Sequence, residues 1–210
     1  MTLSNRHLSE QVSKRIILDA GVIYKNVKFE DGAFTAGEFL GATQGGNEFL
    51  LENEVRQIAV DGVKGSFKGL KVKETCAPKL KVNLLELTAK NLAMAIAGSH
   101  LDTDSSDVYD IITGKNCISL DEYIDNIAFV TKYGACCGDN SGKPVVILIE
   151  NVLQIDSLSM KTTDKGEVVI PLTFEGHYDV DNVMNGTAPY AIYMPKEVTV
   201  KPDEVTTLTP

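Results

Sequence analysis

Apolar and polar residues alternate with a period of two in several stretches of the chain, the pattern of strands with one buried and one solvated face. In residues 79 to 84, Leu80, Val82 and Leu84 share one face and Lys79, Lys81 and Asn83 the other. Over 167 to 175, Val168, Ile170, Leu172 and Phe174 alternate with Val169, Pro171, Thr173 and Glu175. Pro171 has no N–H to give to a ladder, so this strand is expected at an edge or with a bulge. Further strands are predicted over 55 to 60, 126 to 133 and 145 to 149. The last, Val-Val-Ile-Leu-Ile, is apolar on both faces and predicts a strand covered on both sides.

One stretch carries a helical pattern, residues 88 to 97: Thr88 can cap it, Leu92 and Ile96 share a face, and Gly98 can end it. Residues 134 to 143, GACCGDNSGK, predict the turn of an antiparallel hairpin. Gly41, Gln44, Gly45, Gly46 and Asn47 open a loop predicted over 41 to 54, whose glycines permit a flexible connection between strands. Glu48, Glu52 and Glu54 mix there with apolar residues, as in a surface made for a partner. Residues 1 to 15 and 195 to 210 have no period that would bury a face, and read as extended arms or as frayed ends. Between them, 16 to 194 form the core of a single domain that is mainly β, a sandwich or barrel flanked by one short helix.

Composition supports an ordered protein: 43% of the 210 residues are hydrophobic and 23% charged, enough to bury a real core. The net charge of minus 9 argues against clamping nucleic acid, since phosphate binding needs concentrated Lys and Arg. The same sign suits a surface that DNA must slide past. Cys76, Cys117, Cys136 and Cys137 form no C-x-x-C pair, so reduced, metal-free thiols are expected. The first residues lack an apolar signal core, and no apolar run approaches the roughly 20 residues of a membrane span. A soluble protein made in a reducing cytoplasm is expected.

Catalytic chemistry finds little to stand on. The segment GATQGG lacks the Gly-Lys-Ser/Thr ending of a phosphate cradle and no helical pattern follows it. Asp102, Asp104 and Asp107 are close in sequence, but the calcium-loop template needs Gly at 107 and Glu at 113, where this chain has Asp107 and Thr113. The histidines, His7, His100 and His177, accompany no recognisable nucleophile, and no G-x-S-x-G occurs. No catalytic residue, cofactor or metal is predicted.

Three stretches in order resemble the phage major tail proteins that build the tail tube, particularly those of long-tailed phages of low-GC Gram-positive bacteria. They are LGATQGGNEFLLENEVRQIAVDGVKGSFKGLKV (40 to 72), KLKVNLLELTAKNLAMAIAG (79 to 98), and PVVILIENVLQ (144 to 154) with EVVIPLTFEGHYD (167 to 179). In that family an alternating strand ending in leucines runs into a short helix opening Thr-x-x-Asn-Leu, here Thr88, Asn91 and Leu92. The turn at Asp61 and Gly62 and the closing F-x-G-H-Y also fit. The likeness extends from about Ile16 to Tyr193, and residues 99 to 125 match nothing specific within it.

The resemblance implies a β-sandwich or barrel of the tail tube type, six copies per ring, with one sheet of each copy lining a continuous bore. Rings stacked by heterologous contacts form an open-ended tube. The loop over 41 to 54 and the two arms are expected to bridge rings. Implied partners are further copies of the chain, a tape measure protein in the lumen, and tail terminator and distal tail or baseplate proteins at the ends. Double-stranded DNA would pass without specific binding, and the protein would reside in the virion tail after assembly in the host cytoplasm. The alternatives are the tube of a contractile tail or tailocin and, from another class, a surface or secreted β-sandwich binding module.

Overall fold

The computed structural model describes residues 15–35, 37–134, 144–162 and 164–196. His7, Cys136 and Cys137 lie outside the described residues, as do all but the ends of the predicted arms and of the 134–143 turn. In chain order the elements are β1 (Ile17–Lys25), β2 (Lys28–Glu30), β3 (Ala33–Thr35), β4 (Glu38–Phe39), β5 (Thr43–Gln57), β6 (Lys71–Leu84), α1 (Ala89–Met94), β7 (Ser99–Asp102) and β8 (Ile111–Gly114). They continue with a 3-10 turn at Leu120–Glu122, β9 (Ile124–Tyr133), β10 (Pro144–Gln154), β11 (Ile170–Gly176), α2 (Val180–Asn185) and β12 (Tyr190–Tyr193).

The protein is mainly β and its strand pairs are antiparallel. An eight-stranded sheet runs β4-β1-β9-β10-β11-β6-β5, with β12 also paired to β10. β2–β3 and β7–β8 form separate two-stranded hairpins. At the centre, β10 pairs β9 from Pro144 opposite Lys132 to Val152 opposite Ile124. Its other edge is shared, Val146–Ile149 with β12 and Val152–Gln154 with β11. Side chains of both parities along β10 are buried, Val145 and Ile149 as well as Val146 and Leu148, as the unbroken apolar run requires.

Packing divides between the two faces. Ile23, Leu80, Leu84, Ile127, Ile149, Leu172 and Phe174 belong to the larger cluster, with Leu92 and Met94 of α1 packed against it. Val27, Ala128, Val146 and Leu148 form the smaller one beneath Tyr24, Phe34 and Tyr193. Phe34 meets Tyr193 edge-on at 4.8 Å between ring centres, so the β2–β3 hairpin acts as a cover. Pro171 sits opposite Asn83 of β6, beyond the part of β11 that pairs β10, so its missing N–H breaks no ladder there.

Thr88 caps α1, its hydroxyl accepting the Asn91 N–H at 3.1 Å, but the helix ends at Met94 and is shorter than the 88–97 expected. Asn91 is buried and donates from Nδ2 to the Leu40 carbonyl at 2.7 Å, tying the helix to the segment before β5. The expectation of one helix needs correcting. α2 is a second, framed by Asp179 and Asn182 in a reciprocal capping box and by Gly186 at φ 64°. Six residues are too few for a helical period to show in sequence.

Candidate assembly surface

The long β5–β6 hairpin is the most distinctive surface, and its two halves differ. Near its base Phe49 opposes Leu80 and Asn47 opposes Val82, and this half packs on the larger core. Beyond Asn53 and Cys76 the ladder continues to Gln57 opposite Lys71, but the core does not follow it. Val55 and Phe67 are each 57% exposed, and Val60, Val63 and Val72 are exposed as well. Residues 58 to 69, which link the strands, are all exposed. Three main-chain bonds, from the N–H of Ile58 to the Leu70 carbonyl at 2.8 Å, of Val63 to Val60 at 3.2 Å and of Leu70 to Phe67 at 3.4 Å, give this turn its shape.

The flexible loop expected over 41 to 54 is a correction, because most of it is strand β5. Gly45 and Gly46 both stand at φ 88°, a left-handed conformation that suits residues without a Cβ. They form a bulge between Thr43, opposite Leu84, and Asn47, opposite Val82. Their glycine content encodes a kink in a strand instead of a break between strands. Asn47 donates to the Ala20 carbonyl at 3.0 Å, so the end strand of the sheet folds back towards β1. Gly41 is buried at the approach to β5, and Gln44 is exposed at its start. The connection between β5 and β6 lies further on, at 58 to 70.

Glu48, Glu52 and Glu54 fall at alternate positions of β5, hence on one face. Glu48 pairs with Lys81 at 3.3 Å, and Lys79 bridges Glu52 at 2.7 Å and Glu175 of β11 at 3.4 Å. The Glu52 hydrogen bond is the largest influence on Lys79 and, with the charge and hydrogen bond of Glu175, raises its pKa against the opposing effect of burial. Arg56 and Glu74 form a further ion pair towards the tip. Two of the three carboxylates are therefore already engaged in cross-strand pairs that stabilise the hairpin, each worth a few tenths of a kcal/mol to about 1 kcal/mol at such exposure.

β5 is the last strand of the sheet, so one edge of a 15-residue strand has no partner strand among the described residues. The opposite edge of the sheet, β4, is only two residues long. Charged residues along β5 blunt its edge, but they leave the backbone groups available to another chain. The exposed tip lies outside the loop expected over 41 to 54. A signal for it exists: residues 55 to 73 carry Arg56, Lys64, Lys68, Lys71 and Lys73 against Asp61 alone, net plus 4 in a chain of net minus 9.

Two further titratable clusters serve local structure. Asp102 accepts the N–H groups of Asp104 and Ser105, both at 3.0 Å, and the Ser105 hydroxyl. These bonds, the hydroxyl first, lower its pKa and fold the acidic loop upon itself. Glu122 accepts the Gly98 N–H at 2.7 Å and the Ser119 hydroxyl at 3.3 Å, with Lys115 at 3.6 Å. Burial pushes its pKa up, and the hydrogen bonds from Gly98 and Ser119 with the Lys115 charge more than offset that, for a net lowering. It lines a groove of about 400 Å³ with Lys25, Met94 and Tyr123. His177 places Nδ1 3.1 Å from the Asn151 carbonyl and its ring edge-on to Tyr123, while His100 is exposed on β7. Both contacts of His177 hold it between β10 and the segment that leads into β9.

No model of a known protein family matches the chain, and no curated protein matches it. Among the described residues, no helix is long and apolar enough to cross a membrane.

Proposed function

We propose that the chain is a structural subunit that assembles with copies of itself into a tube, as the tail tube protein of a tailed phage does. The observation that carries this reading is the unfinished hairpin: a long edge on β5, unpaired among the described residues and continuous with exposed Val55, Val60, Val63 and Phe67. Pairing an open edge with a neighbour and covering apolar surface are what ring closure accomplishes. Six copies, at minus 9 each, carry a formal charge of minus 54. Carboxylates facing the bore would keep DNA from adhering as it passes. The tape measure, terminator and distal tail proteins are partners of this proposal and follow from the family likeness.

Negative-stain electron microscopy of the purified chain over a concentration series tests it. Hollow tubes or stacked rings of uniform bore are the expected result. A protein that stays monomeric at every concentration sinks the proposal. Charge reversal at Glu48, Glu52 and Glu54 is a second test, now with a sharper expectation. Lysines at 48 and 52 would face Lys81 and Lys79, so loss of assembly counts only if the fold's thermal midpoint is preserved.

A further inference from the structure

A second surface has the opposite character to the hairpin tip. The loop joining β7 to β8 carries Asp102, Asp104, Asp107 and Asp110 and no cation from 102 to 110, net minus 4. At its centre two large side chains face outward, Val108 at 76% and Tyr109 at 73% exposed. They follow Ser106, whose hydroxyl accepts the N–H of both, at 3.2 and 3.3 Å, so the turn holds them in place. The hairpin tip matches this loop in reverse, with Phe67, Val60 and Val63 set among Lys64, Lys68 and Lys71. Among the described residues, Arg56 pairs with Glu74 on the hairpin, and Asp102 bonds within its own turn on the loop.

We infer that the β5–β6 tip of one copy docks on the β7–β8 loop of the next. Apolar contact between Phe67 and the Val108–Tyr109 pair would form the centre, and lysine–aspartate contacts the rim. Opposite net charges steer the two surfaces together and disfavour tip-to-tip and loop-to-loop pairing, where like charges would meet. The two surfaces belong to different parts of the chain, so the contact is heterologous and propagates from copy to copy. Because the rim charges are exposed, the contact weakens as salt rises through the range where the screening length falls to about 8 Å and below. The inference deepens the assembly reading and rests on it in taking a second copy as the occupant.

A charge swap tests it. Chains carrying K64E, K68E and K71E, or D104K, D107K and D110K, are compared with a chain carrying all six changes, by sedimentation velocity and electron microscopy at low and physiological salt. All six positions are exposed, and unchanged circular dichroism and melting confirm the fold in each variant. Each triple variant is expected to weaken association by about tenfold or more, and the sextuple variant to restore it. Tubes that form equally well in both triple variants, or a sextuple variant that stays dissociated, overturn the docking and leave the tube reading standing. Charge-swap behaviour in an assembly that is not a tube keeps the docking and removes the tube. A native chain monomeric throughout overturns both.

Discussion

The centre of the sheet and the outer half of the β5–β6 hairpin are built from the same local pattern and end in opposite states. Along β9, β10 and β11 an apolar residue has a covered place on whichever face it points to, and Ile127, Ile149 and Phe174 are fully buried. Along the hairpin beyond residue 54, Val55, Val60, Val63 and Val72 are exposed. A strand's alternation states which residues want cover; only the tertiary fold supplies it. In the centre the fold covers its own apolar residues, and at the tip it leaves them exposed. Substitutions in the two regions should therefore separate stability from assembly.

The largest effect is expected at the centre. Phe174 is wholly enclosed between β6, β10 and the larger cluster, so Phe174→Ala removes a ring that nothing can replace. A loss of about 3–5 kcal/mol follows, read as a fall in the denaturant midpoint. A loss under about 1 kcal/mol would show that the centre is not the closed core described. Asn91 comes next, since Asn91→Ala leaves the buried Leu40 carbonyl without its donor, at a cost of about 1–3 kcal/mol. Thr88→Ala, which removes only the cap, should cost about 1 kcal/mol. If the two changes cost the same, the tie to Leu40 contributes nothing beyond the helix itself.

The legibility of the two regions in sequence also differed, for the same reason. Strands 79–84, 126–133 and 145–149 were readable because burial is imposed on both or on alternate sides, and composition records it. The segment at 41–54 misled because Gly45 and Gly46 are glycines for the sake of φ 88° within a strand, and a bulge and a loop use the same residue. α2 was hidden because its stability comes from Asp179, Asn182 and Gly186 at its ends more than from a periodic face, with Val180 and Met184 left exposed. Of the candidate surface, its carboxylates were visible as residues, but their pairing with Lys79 and Lys81 depends on β5–β6 register, which a one-residue slip would abolish. The tip was legible only as local charge.

A smaller effect, one of pH, lies between the two regions. The carboxylate of Glu122 is depressed below the ordinary glutamate value of 4.5, so the native state favours its charged form. Its contribution is complete above that value and is lost as pH falls through the folded-state pKa. Glu122→Gln should therefore lower stability at neutral pH and flatten the acid limb of the stability curve. Parallel native and variant curves from pH 6 to 3 would remove Glu122 as a source of that slope.

Phe67→Ser should give the smallest change in stability and the largest change in behaviour. The side chain is 57% exposed on a turn held by main-chain bonds around it, so the substitution exposes little that was covered. A shift within about 0.5 kcal/mol is expected for a surface position of this kind. In the assembled state the same ring would lie at the centre of a contact, where aromatic anchors carry a disproportionate share of binding energy. Loss of association with an unchanged melting temperature, measured on one sample by sedimentation and calorimetry, is the outcome that separates the two regions. A variant that melts several degrees lower would mean that the tip packs within its own chain. One that assembles normally would mean that the exposed valines, and not Phe67, hold the copies together.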